Sequence, residues 1–91
     1  MATKDVVRWE RLLKALANKR RIAIVRLLKK RKESSVGDVA EAIRLSFKAT
    51  SKHLRILVAA DIVEGEQRSL QIFYRIADDM PPATRTIISL L

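Results

Sequence analysis

Apolar residues recur at helical spacing over the first sixty positions, after which the period changes. Val6, Trp9, Leu12, Leu13 and Leu16 fall at helical spacing within 6–17. Asn18 offers the cap of a second helix, whose Ile22, Val25 and Leu28, flanked by Ile24 and Leu27, make a wide apolar stripe. It ends in Lys29, Lys30, Arg31 and Lys32, cations suited to the negative end of a helix dipole. Ser34 and Ser35 can open a third helix, and Ser35 with Asp38 forms a weak capping box ahead of Val36, Val39, Ala40 and Ile43. Arg44 and Leu45 read as a tight connection, and Ser46 as the cap of a fourth helix over about 47–60. That helix puts Thr50, Leu54, Leu57 and Val58 on one side and Lys48, Ser51, Lys52 and Arg55 on the other. Beyond Asp61 the chain reads as two strands, 62–67 and 71–76, joined near 68–70 with no Gly or Asn to fix the turn. Asp78 and Asp79 are read as caps of a last helix, with Pro81 and Pro82 in its first turn and Ile87, Ile88, Leu90 and Leu91 at its end. The order α-α-α-α-β-β-α predicts a mainly α domain with a small β-hairpin (α+β).

Size narrows this to one domain, 1–91. So short a chain buries only about 60–65% of its unfolded surface, so an interface with another chain would help it. Hydrophobic residues make up 48%, which excludes a disordered chain, and no apolar run approaches the roughly 18 residues of a membrane span. The segment 1–8 has charges and no apolar stretch, so no secretory leader is expected and a cytoplasmic location is. With no cysteine and one histidine, disulfides, thiolate metal sites and a multi-histidine zinc site within one chain are excluded, and no cofactor is expected.

Charge changes the picture most. The net +9 points to a polyanionic partner, and it is uneven: residues 1–35 carry +9, residues 36–60 carry +2 and residues 61–91 carry −2. The cations are spread over several short elements, not gathered opposite one bulky apolar face, so a membrane surface fits less well than nucleic acid. Two short helices joined by about three residues, the second with a basic outer face, form a helix-turn-helix at about 36–60. The hairpin at about 62–77 makes it winged.

The segments LLKALANKRRIAIVRLL, VGDVAEAIRLSFKATSKHLRILVAADIV and IFYRIA resemble the ArsR-type winged-helix repressors over roughly residues 9–77. The resemblance implies a homodimer, joined through first and last helices at about 5–17 and 79–91, on a near-palindromic DNA site in a prokaryotic cytosol or nucleoid. Its metal-sensing members have a cysteine pair where this chain has Ser35 and Gly37, and another metal site uses Asp and His residues on the last helix, which has no His here. No metal site is therefore expected. Arg44 and Asp61 stand where the resemblance places turn glycines; Asp tolerates a left-handed backbone, whereas Arg44 would be strained or would force another turn.

The expected DNA contacts are Ser46, Lys48, Ser51, Lys52 and Arg55 of the fourth helix, Arg68 of the wing, and Ser35 with Lys30 and Lys32, where a helix N-terminus and adjacent lysines suit a phosphate. Phe47 has two readings: the first residue of the apolar stripe, which is favoured, or an exposed contact to thymine methyls. Val6, Trp9, Leu13, Ile87, Ile88 and Leu91 are the expected dimer contacts. His53 reads as a packed, hydrogen-bonded residue. Ser51 and His53, two apart, point to different sides of a helix, and no Gly-rich loop exists, so no enzyme is expected. A sequence-specific, double-stranded-DNA-binding repressor is the expectation; the alternatives are a winged protein-interaction module and a non-specific DNA-binding protein. The effector is not legible.

Overall fold

The computed structural model describes the backbone of residues 3–91 and side chains from Asp5 onwards. Met1 and Ala2 of the segment read above as lacking a leader pattern lie outside the described residues. Two helices come first, α1 (Thr3–Leu16) and α2 (Lys19–Lys30), followed by a two-residue strand β1 (Ser34–Ser35). Helices α3 (Val36–Ile43) and α4 (Phe47–Ala59), strands β2 (Val63–Arg68) and β3 (Gln71–Ile76), and α5 (Pro82–Ser89) complete the order.

The caps act as their chemistry predicts. Asn18 accepts from the Arg20 and Arg21 amides, Ser35 from Asp38 at 3.2 Å and Ser46 from Ala49 at 3.1 Å. Each supplies an oxygen to amides that have no partner within the helix. The last helix departs from this. Asp78 and Asp79 do not cap it; the cap position falls to Pro81, with no side-chain hydrogen bond, and Pro82 starts the helix with a pre-set φ.

Among the described residues, three that are not glycine adopt positive φ: Arg44 at 56°, Asp61 at 61° and Ser69 at 58°. Arg44 keeps the left-handed turn and accepts its strain, with its amide bonded to the carbonyls of Ala40 and Glu41. In the hairpin, Arg68 pairs with Gln71, leaving Ser69 and Leu70 as a two-residue loop. Positive φ at its first position alone is the sign pattern of a type II′ turn.

Strand β1 was not anticipated. It pairs antiparallel with β3, Ser34 opposite Tyr74 and Ser35 opposite Phe73, giving a three-stranded sheet ordered β1-β3-β2. Two serines carry no strand signal of their own; the ladder forms because β3 has an open edge beside them. Gly65 lies opposite Tyr74, and a Cβ there would stand 2.8 Å from the Tyr74 ring, so the aromatic ring occupies the space a side chain would need.

The core gathers Leu12, Ile24, Leu28, Leu54, Leu57 and Ile62, all essentially solvent-free, with Val39 and Val63 beside them. Removing one such leucine side chain costs about 2–5 kcal/mol through lost burial and the cavity left behind. Val58, expected on the apolar stripe of α4, is instead exposed. The buried face is set by Thr50, Leu54 and Leu57, and Val58 lies one position past it.

Candidate nucleic-acid interface

The inner face of α4 is fixed by Thr50, Leu54 and Leu57, so the other face is forced outward. Lys48, Lys52 and Arg55 are exposed there, Ser51 is half-buried, and Ser46 stands exposed at the head of the helix with its hydroxyl engaged as the cap. Phe47 is 63% exposed, which overturns the core reading. It precedes the first buried residue of the helix, Thr50, by almost a full turn and so cannot reach the core. An apolar ring and three cations therefore share the outward surface of one helix.

Elsewhere the expected contacts divide. Lys30 and Lys32 are exposed. Ser35 is 6% exposed and its hydroxyl faces its own helix as a cap, so its side chain is not presented to a phosphate. Arg68 is exposed but engaged: it donates to both carboxylate oxygens of Glu33, at 2.6 and 2.9 Å, and to Glu66 at 3.2 Å, and lies 5.0 Å from the Phe73 ring centroid. Arg75 donates to Glu64 at 2.8 Å and to Glu66 at 3.1 Å. Glu64, Glu66 and Arg68 lie on one face of β2 because they are two apart, and β3 brings Arg75 opposite Glu64. The Arg68 hydrogen bond holds the Glu33 carboxyl below its usual range, and bonds from Arg68 and Arg75 do the same to Glu66; the Arg68 and Arg75 guanidinium pKa values are raised in turn. Three carboxylates and two guanidiniums form one ladder on the wing, which the sequence reading missed. The alternating charges of Glu64, Glu66 and Arg68 at strand period were the available signal.

Arg21 was missed as well. Its Nε donates to the Ala15 carbonyl at 2.6 Å, and its Nη1 lies 3.1 Å from His53 Nδ1. A guanidinium only donates, so Nδ1 is the acceptor and His53 is the neutral tautomer with its proton on Nε2. Burial, then the charges of Arg21, Arg20 and Lys52, push the His53 pKa below its ordinary value. The packed, hydrogen-bonded reading of His53 holds.

Of the residues expected to pair two chains, Val6 and Leu13 are each 53% exposed, and Trp9, Ile87 and Leu91 are half-buried against the core. Ile88 is only 4% exposed. It lies one turn after buried Thr84, so it belongs to the inner face of α5 and to the core of its own chain.

Where the resembled family carries a cysteine pair, the chain has Ser35 and Gly37. Ser35 Oγ is occupied by the Asp38 amide and Gly37 has no side chain. Among the described residues no three His, Cys, Asp or Glu gather at one place, and no helix is long and apolar enough to cross a membrane.

Comparison with known proteins adds to this geometry. The model of the family "Bacterial regulatory protein, arsR family" matches residues 18–65, slightly over half of the chain. The chain is 40% identical over 67 residues to the HTH-type transcriptional repressor SmtB of Mycobacterium tuberculosis, covering 74% of this chain and 49% of that protein. It thus spans about half the length of the curated relatives it matches. Among solved structures, HlyU from Vibrio cholerae superposes with a TM-score of 0.81 at 30% identity, covering 98% of this chain and 92% of that one. The homodimeric winged helix-turn-helix DNA-binding domain of a possible ArsR-family regulator from Mycobacterium bovis superposes equally well, with a TM-score of 0.81 at 27% identity, over 99% of this chain and 82% of that one.

Proposed function

The chain belongs to the ArsR family of bacterial regulatory proteins, and on that premise we propose that it acts as a homodimeric repressor that binds a specific duplex DNA sequence. The observation that carries the reading is the outward face of α4, where Phe47, Lys48, Lys52 and Arg55 stand exposed on a helix braced from behind by Leu54 and Leu57. A major groove admits one α-helix; Lys48, Lys52 and Arg55 supply phosphate and base-edge contacts, and the Phe47 ring is suited to thymine methyls. Lys30 and Lys32 add backbone contacts. The homodimeric M. bovis domain and the exposed Val6 and Leu13 support self-association. Pairing across a two-fold axis spaces two α4 helices by about 34 Å, one turn of DNA.

Selection from random duplexes followed by salt titration tests this. A defined half-site should emerge, and for about 6–10 phosphate contacts affinity should fall about 10³–10⁵-fold between about 50 and 200 mM salt. Lys52→Ala and Arg55→Ala should weaken binding, while Lys14→Ala, which removes a cation from α1, should not. A flat salt response, or equal losses from all three, refutes the assignment.

A further inference from the structure

A groove of about 1130 Å³ runs along α2 and shares only Lys30 with the DNA-binding surface just described. Lys19, Arg20, Ala23, Arg26, Leu27 and Lys30 of α2 line it, positions that share one face because they recur at helical spacing. Across from them stand Ala42, Ile43 and Arg44 at the end of α3, together with Leu91. The apolar part is wholly aliphatic, with no aromatic ring on which a nucleobase could stack. The polar part is wholly cationic, with no acidic residue among the lining residues.

The cations fall into two sets. Arg26 donates to the Leu91 carbonyl at 3.1 Å, and Lys29 to those of Ile88 and Ser89 at 3.0 and 3.4 Å, so these two tie α2 to the end of α5. Lys19, Arg20, Lys30 and Arg44 form no salt bridge among the described residues. Lys19 and Arg20 stand on the first turn of α2, where the helix dipole adds its own positive end. The groove exceeds the usual range of small-metabolite pockets, about 300–1000 Å³, and α2 offers about 16 Å of length from Lys19 to Lys30.

We propose that this groove binds a long-chain aliphatic anion, its carboxylate or equivalent head group at Lys19 and Arg20 and its tail laid over Ala23, Leu27, Ile43 and Leu91. A neutral chain would leave the cations without a partner, and a small anion would leave the aliphatic floor in water. An amphiphile of this length matches both parts of the lining. The inference deepens the regulatory reading by naming the chemical class of an effector, and rests on that reading only for its consequence. The tail meets Leu91, whose carbonyl Arg26 holds, so occupancy bears on α5 and on the surface beside it.

Calorimetric titration of the whole chain, without DNA, with straight-chain carboxylates from butanoate to dodecanoate below their micelle-forming concentrations tests it. One ligand should bind per chain, and affinity should rise about two- to fourfold per added methylene. Ala23→Glu, at an exposed helical position, should abolish binding. Lys19→Ala with Arg20→Ala should weaken it at least about tenfold while leaving the chain-length trend intact. Circular dichroism checks that the variants fold. Butanoate binding as tightly as dodecanoate, no saturation, or wild-type affinity in either variant overturns the proposal. Dissociation of a dimer by Ala23→Glu also overturns it, because a second copy would then be the occupant, as does saturable binding of an acidic helical peptide with no response to carboxylates. Duplex binding is measured separately: its loss with carboxylate binding intact sinks the function, and the reverse sinks only this inference.

Discussion

At the scale of single residues, Arg44 and His53 carry the clearest consequences. Arg44 holds a left-handed backbone that a side chain resists and glycine adopts freely. Arg44→Gly should raise stability by about 0.5–1 kcal/mol, the relief of strain exceeding the extra freedom of the unfolded chain, as read by urea unfolding. His53 has a depressed pKa in the folded state, so below about pH 6.5 the unfolded chain takes up its proton more readily and stability falls as pH drops. Comparing urea midpoints at about pH 5.5 and 7.5 should show a smaller difference in His53→Gln, whose amide oxygen still accepts from Arg21. At this scale the sequence was partly legible. The caps Asn18, Ser35 and Ser46 could be read because their chemistry is local. The fates of Phe47 and Ile88 could not, because a helical stripe shows which residues share a face and leaves open where along the axis the core begins and ends.

At the scale of elements, the wing is less basic than an exposed arginine at its tip suggested. Arg68 is shared between Glu33 and Glu66, so a phosphate must displace carboxylates to bind it. Glu33→Gln should therefore tighten duplex binding roughly two- to tenfold at low salt, and Arg68→Ala in the wild-type background should cost less than Arg55→Ala, both by fluorescence anisotropy. Equal losses from the two arginine variants would show that the ladder opens freely on DNA. Helices were legible from their period and both hairpin strands from theirs, but β1 was not: its two serines are strand only because β3 lies beside them. The ladder also depended on register, since only pairing places Arg75 opposite Glu64.

At the scale of the whole molecule, the exposed Val6 and Leu13 and the buried Ile88 give separable outcomes. Leu13→Glu with Val6→Glu should yield a folded monomer with weakened operator binding, because neither side chain is needed inside the chain. Ile88→Glu should instead unfold the protein, by placing a charge in its core. Sedimentation and circular dichroism distinguish the two; a dimer persisting in the double variant refutes the α1 interface. The pairing of β1 with β3 also has a consequence for folding. Ser34 meets Tyr74, 40 residues on, across a loop that contains both α3 and α4. Closing so long a loop is entropically costly, whereas the β2–β3 hairpin and each helix close locally. The hairpin is therefore expected to form first, with the strand leading into α3 docking onto its finished edge. The helix-turn-helix is clasped to its wing by the β1–β3 pairing, and native-state hydrogen exchange should find the amides of that pairing less protected than those of the β2–β3 hairpin.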